Sequence, residues 1–135
     1  MVGKTLISEF LKEQGVKEVF CLPGIHTLSL IQSLILSGIS IYVARCERSL
    51  LFMADGYSRT CGRTSVVFVT PGPGLTNSVL GSMVAFWAEV PLLLIHIDPT
   101  GQDRGKGVLH ELSEPERIFE GITKKRIRVE QKNDL

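Results

Sequence analysis

The chain has 135 residues, 44% of them hydrophobic and 21% charged, with a formal net charge of +1. That length holds one domain with a buried core, and the composition is that of an ordinary folded protein. Near-neutral charge excludes a dedicated nucleic-acid or membrane-surface binder, which needs a strong basic surplus.

In chain order, Leu6, Ile7, Phe10 and Leu11 recur at helical spacing between Thr5 and Gln14, and Gly15 closes that helix. Val19 to Leu22 is a short apolar strand stopped by Pro23-Gly24. A second helix carries Leu28, Leu30, Ile31, Leu34 and Ile35 and ends at Gly38, and Ile39 to Ala44 is a β-branched strand. Glu47 to Arg59 reads as a helix ending before Gly62. Ser65 to Val69 is a continuous apolar strand broken by Pro71-Gly72-Pro73-Gly74, and Thr76 to Trp87 is a helix. Pro91 to Ile97 is another apolar strand, and Thr100 to Gly107 a glycine- and charge-rich loop. A short helix over Glu114 to Phe119 and a final strand over Thr123 to Val129 complete the chain.

Strands apolar on both faces that alternate with helices predict a parallel sheet covered on both sides. The expected fold is α/β: one doubly wound domain over residues 1–135, with a mostly parallel sheet of about five to six strands. The basic run Lys124, Lys125, Arg126 and Arg128 reads as the charged side of a half-exposed last strand. Cys21, Cys46 and Cys61 are odd in number and have neither redox nor metal-clip spacing. They suit a reducing cytoplasm. No segment has the form of a signal peptide or the length of a membrane span, so the chain reads as cytoplasmic.

Open α/β sheets bind ligands at the carboxyl ends of their strands. Those ends carry Pro23-Gly24-Ile25-His26, Arg45-Cys46-Glu47, Thr70 to Gly74, and the loop reaching His110-Glu111. Each signal is weak by itself. A dinucleotide fingerprint requires glycine where Asn77 stands, and there is no Walker phosphate loop. A carboxylate at a helix start, as at Glu47, is favoured by the helix dipole without any further role. His26 and His110 are equally at home in turns. Cys46, between Arg45 and Arg48 at a helix start, has the setting of a thiol with lowered pKa, although a small packed side chain accounts for it as well. His26, Cys46 and His110 have no metal-ligand spacing, so no metal is assigned to this chain.

Taken together and in order, GVKEVFCLPG, YVARCERSLLFMADGYSR, GRTSVVFVTPGPGLTN, EVPLLLIHID and GKGVLHEL resemble the N-terminal, pyrimidine-binding domain of acetolactate-synthase-like thiamine-diphosphate enzymes. Within that group LPGIHTLSL and GKGVLHEL resemble 2-oxo-acid decarboxylases, including those acting on guanidino-oxo acids. The resemblance implies that Glu47 shares a proton with N1' of the cofactor's aminopyrimidine, so that the 4'-nitrogen can deprotonate the thiazolium ring. It implies cofactor contacts from Pro23, Gly24, Gly72, Pro73, Gly74, Thr76 and Asn77, and substrate-side groups at His26, His110 and Glu111. The family's G-D-G…N motif for diphosphate and Mg²⁺ has no counterpart in these residues. The resemblance thus implies a cofactor shared with a diphosphate-binding domain and no turnover by this domain alone. It also implies a homodimer or a diphosphate-domain polypeptide as partner and a 2-oxo acid as substrate. Two departures from the family pattern are Cys46, where histidine is usual, and Cys21, where glycine is usual. Arg48 and Ser49 also stand where neutral, small residues are usual. Cys46, Arg48 and the missing diphosphate domain leave open a non-catalytic domain of this fold with an assembly or regulatory role.

Overall fold

The computed structural model describes residues 3–98 and 103–129. Four strands, β1 (Glu18–Cys21), β2 (Ser40–Tyr42), β3 (Ser65–Val69) and β4 (Leu92–His96), form one sheet in the order β2-β1-β3-β4. All three pairings are parallel. The chain winds outward from β1 to β2 and then from β3 to β4 on the other side, so the topological switch point lies between β1 and β3. A doubly wound sheet opens its ligand crevice at that point.

Period-two alternation divides the core between the two faces. Val19 and Cys21 of β1 and Val66 and Phe68 of β3 turn to one side, where they pack with Leu11 of α1 (Gly3–Glu13) and with Leu30 and Leu34 of α2 (Leu28–Leu36). Phe20, Val67 and Val69 face the other side, against Leu50, Leu51 and Ala54 of α3 (Glu47–Cys61). α4 (Pro73–Asn77) and α5 (Val79–Trp87) lie beside α3, and Phe119 of the 3₁₀ turn Pro115–Phe119 closes that core. β3 is wholly buried along its length, which explains its uninterrupted apolar sequence.

Three expectations are corrected. The sheet has four strands among the described residues, below the five to six expected. Thr123 to Val129 forms no strand. The run has no apolar face to bury, and Ile127 and Val129 remain 64% and 48% exposed. The single helix expected over Thr76 to Trp87 is two, broken at Ser78, whose buried hydroxyl donates to Leu75 O at 2.6 Å. This side-chain bond to the backbone competes with continuation of the helix.

Much of the sequence signature that carried the family resemblance is scaffold. Asp55 accepts two hydrogen bonds from Arg59, at 2.7 and 3.2 Å, one turn along α3. The Tyr57 hydroxyl donates to Glu18 at the start of β1, at 2.7 Å. Ser58 Oγ donates to Pro91 O at 2.8 Å and accepts Ser65 N–H at 3.0 Å. The bonds of Tyr57 and Ser58 fix α3 against the amino ends of the strands and so aim its first residue, Glu47, at their carboxyl ends.

Candidate functional site

β1 ends in the turn Leu22–Thr27. Thr27 is fully buried, and its hydroxyl accepts Gly24 N–H at 2.9 Å and lies 3.0 Å from Gly24 O. The turn is therefore rigid at its base, and Gly24 is held facing the end of β3. β3 delivers Thr70 and then the sharp turn Pro71-Gly72. Gly72 has φ +60°, the left-handed region open to glycine, and Pro73 occupies the first turn of α4, where no N–H is needed.

Glu47 opens α3 immediately after Cys46, whose backbone is extended. The residue is only 7% exposed. Oε2 accepts from Asn77 Nδ2 at 3.3 Å. Oε1 lies 3.1 Å from the point a Cβ on Gly74 would occupy, and Thr70 Oγ1 lies 2.5 Å from the same point. Gly74 thus lets the start of α4 pack closely against a buried carboxylate and a hydroxyl. A buried carboxylate is costly unless paired. A single amide at 3.3 Å leaves most of its hydrogen-bonding capacity unused.

The structure brings Glu47, Gly74 and Asn77 into direct proximity and places Gly24 beside them through Thr70. Gly72 abuts the distal loop: a Cβ there would lie 2.7 Å from His110 O and 3.0 Å from His110 Cα. His110 itself has φ +70°, an uncommon conformation for a residue with a Cβ and a mark of local strain. Its side chain is exposed. His26 is half-buried in the β1 turn, and its Nε2 has no hydrogen-bond partner among the described residues. Pro23 and Pro73 are exposed on the rim. The hydroxyl of Thr76 turns back onto Gly72 O and Pro73 O, so it ties α4 rather than facing Glu47.

Glu111 turns inward onto its own loop. Its carboxylate accepts the N–H groups of Gly105, of Gly107 at 2.7 Å and of Val108 at 3.2 Å. These bonds, that from Gly105 first, hold its pKa below the ordinary value of 4.5. The sign of the linkage follows: the ionised carboxylate stabilises the closed loop above pH 4.5, and this is lost as pH falls through the depressed folded value. Amide exchange at Gly105 and Gly107 is expected to accelerate, relative to the intrinsic rate, on acidification below that value. In Glu111→Gln it is expected to be fast at neutral pH as well. Unchanged protection in that variant would contradict the role.

At Cys46, hydrogen bonding from Ser49, whose Oγ lies 3.2 Å from the sulfur, pulls the thiol below its ordinary pKa, and the charge of Arg48 adds to this. Arg48 itself projects to solvent. Among the described residues no group of three or more His, Cys, Asp or Glu could hold a metal ion, and no helix is long and apolar enough to cross a membrane.

Sequence reasoning did not single out Thr27 or Thr70, although both stand where it located the crevice. The available signal was adjacency, since Thr70 immediately precedes the Pro-Gly turn at the end of β3.

Residues 1–117 match the family model described as "Thiamine pyrophosphate enzyme, N-terminal TPP binding domain". A probable 2-ketoarginine decarboxylase of Pseudomonas aeruginosa is 40% identical over 123 residues, covering 90% of this chain and 22% of that protein. The acetolactate synthase large subunit of Buchnera aphidicola is 37% identical over 94 residues, 69% of this chain and 16% of its own length. The chain therefore spans about a fifth of the curated relatives it matches. Among solved structures, a thiamine diphosphate-dependent 4-hydroxybenzoylformate decarboxylase of Rhodococcus jostii superimposes with a TM-score of 0.83. The superposition covers 91% of this chain and 23% of that one at 20% identity, a likeness of fold. On these matches the chain belongs to the thiamine pyrophosphate enzyme family, as its N-terminal, cofactor-binding domain.

Proposed function

We propose that this domain supplies the pyrimidine side of a thiamine-diphosphate site in a 2-oxo-acid decarboxylase or acetolactate-synthase-like enzyme, with Glu47 as the residue that exchanges a proton with the cofactor. The observation that carries the proposal is the carboxyl group of Glu47, in a residue only 7% exposed, held beside Gly74 and Asn77 at the carboxyl end of the sheet's switch point. Much of its hydrogen-bonding capacity is unused, and a ring nitrogen is a suitable partner for it.

Gly24, Gly72, Gly74 and Asn77 would border the ring: the glycines by letting Thr70 and His110 pack closely beside it, Asn77 by fixing Glu47. Pro23, Pro73 and Thr76 contribute the shape of the rim and of α4. The bound cofactor would supply an electron sink for decarboxylation of a 2-oxo acid. The protein's part is to keep the carboxyl group dry, oriented and able to hold or release a proton at Oε1. Leu50 and Leu51 behind it are fully buried and exclude water from that side. His26 and His110 are proposed on the substrate side. Glu111 is proposed to act there indirectly, by shaping the loop that carries His110.

The diphosphate and Mg²⁺ are assigned to another domain, and the paired assembly is proposed to be a dimer or a complex with a diphosphate-domain polypeptide. Calorimetric titration with thiamine diphosphate and Mg²⁺, with and without such a domain, tests this. Tight binding and turnover of pyruvate are expected only with it. Robust turnover by residues 1–135 alone would refute the shared-site reading. Cys46, where a histidine is usual, favours a second reading: a domain of this fold retained for assembly. That reading expects no cofactor binding in either arm.

A further inference from the structure

The two glycines that flank the candidate site press on one side chain. A Cβ on Gly24 would fall 2.6 Å from Thr70 Cγ2, and a Cβ on Gly74 would fall 2.5 Å from Thr70 Oγ1. Real Cβ atoms do not approach other heavy atoms so closely, so neither neighbour can carry a side chain while Thr70 keeps its place. The two contacts use the two branches of the threonine separately: the methyl against the β1 turn, the hydroxyl against α4. Because β-branching makes χ1 stiff, Thr70 cannot relieve one contact without worsening the other.

Both turns it separates are firm. The β1 turn is tied by Thr27 to Gly24, and α4 is tied by Thr76 to Gly72 and Pro73. The second of these carries Asn77, the hydrogen-bond partner of Glu47. The Thr70 hydroxyl makes no hydrogen bond within the described residues, so packing is the role its position supports.

The geometry points to Thr70 as a positioning residue for Glu47: a two-pronged spacer whose methyl sets the distance between the β1 turn and α4, and thereby the place of Asn77 beside Glu47. This rests on the cofactor reading above for its catalytic meaning, but its geometric content stands apart from any ligand. Gly24 is not in the left-handed region, so alanine at that position meets no backbone strain and its only conflict is with the Thr70 methyl.

That allows an exchange of one methyl group across the contact. Gly24→Ala adds a methyl where the Thr70 Cγ2 lies, Thr70→Ser removes the latter, and the double variant restores the packed volume. One readout is taken on the 135-residue chain and the other on that chain combined with a diphosphate-binding domain. The first is the pair of Asn77 side-chain amide resonances, which report the bond to Glu47 without any ligand. The second is affinity for thiamine diphosphate with Mg²⁺ as the probe.

Gly24→Ala is expected to displace the Asn77 resonances and weaken binding about tenfold or more, and Thr70→Ser to cause smaller changes of both. The double variant is expected to return the Asn77 resonances to their original positions and affinity to within about threefold of the original. A double variant no better than the worse single one overturns the spacer. Should Gly24→Ala fail to fold, a folded double variant with the original Asn77 resonances supports the spacer, and an unfolded one overturns it. Absence of cofactor binding by the unaltered chain combined with that domain, with the Asn77 resonances behaving as expected, would count against the cofactor reading and leave the spacer standing.

Discussion

Replacing Glu47 by glutamine is expected to lower cofactor-dependent decarboxylation by about 10²–10⁴-fold, the range lost when a positioned proton-transfer group is removed. The comparison is of pyruvate turnover by the domain joined to a diphosphate-binding domain, with and without the substitution. Folding should be nearly unaffected. Glutamine has the same length, its neutral amide is less costly to bury than a carboxylate, and its Oε1 can still accept from Asn77 Nδ2, now at 3.3 Å. The thermal midpoint is therefore expected to stay within a few degrees while activity collapses. Full activity in the variant would eliminate proton exchange as the role of Glu47. Lost activity accompanied by a large drop in midpoint would mean that the carboxylate is needed to hold α3 and α4 together. The chemistry requires the first pattern, because a glutamine can take the place of Glu47 but cannot take up or release a proton.

The parts of the molecule that were legible in the sequence are those where burial alone decides structure. Ser65 to Val69 can be recognised as a central strand because it is apolar on both faces, and the structure buries every residue of it. The carboxyl-end rule brings Glu47 and Gly74 to one rim, as the structure does, because it depends on topology, and the topology follows from strand and helix order. What could not be read depends on single contacts between distant residues. The bond between Glu47 and Asn77 spans 30 positions, and no periodicity links them. Gly24 and Gly74 announce close approach of something, but only coordinates name Thr70 as the side chain that approaches both. Glu111 has the same residue type whether it faces a substrate or its own loop, and three backbone N–H groups decide for the loop. The unformed strand at Thr123 to Val129 fails for a related reason. β-branched residues at its ends favour extended backbone, yet a strand needs a face to bury, and the exposure of Ile127 and Val129 shows that none exists.

The other large effect lies away from Glu47 and Gly74, at Gly81. A Cβ there would lie 2.3 Å from Leu51 Cβ, 3.1 Å from its Cγ and 3.5 Å from its Cα. The first two are side-chain atoms, but Cβ cannot be moved by rotating χ1, so the conflict falls on the backbones of α3 and α5. Alanine would gain about 1 kcal/mol in helix propensity over glycine at an exposed site. Overpacking a close helix contact costs about 1–3 kcal/mol and occasionally more, and a 2.3 Å approach lies at the severe end. The net expectation for Gly81→Ala is destabilisation of about 1–3 kcal/mol, read from the midpoint of urea unfolding. The helices must separate to accept the methyl, and Leu51 lies one turn from Glu47 on α3, so cofactor affinity should fall together with stability. Pairing Gly81→Ala with Leu51→Ala tests the mechanism. The second substitution removes Cγ and both Cδ atoms but leaves Cβ, so it should relieve the 3.1 Å conflict and not the 2.3 Å one, giving a double variant less stable than either single. If the double variant were instead as stable as Leu51→Ala alone, the helices would be yielding at the side chain, and the backbone contact between α3 and α5 would not be what sets the angle at which Glu47 enters the site.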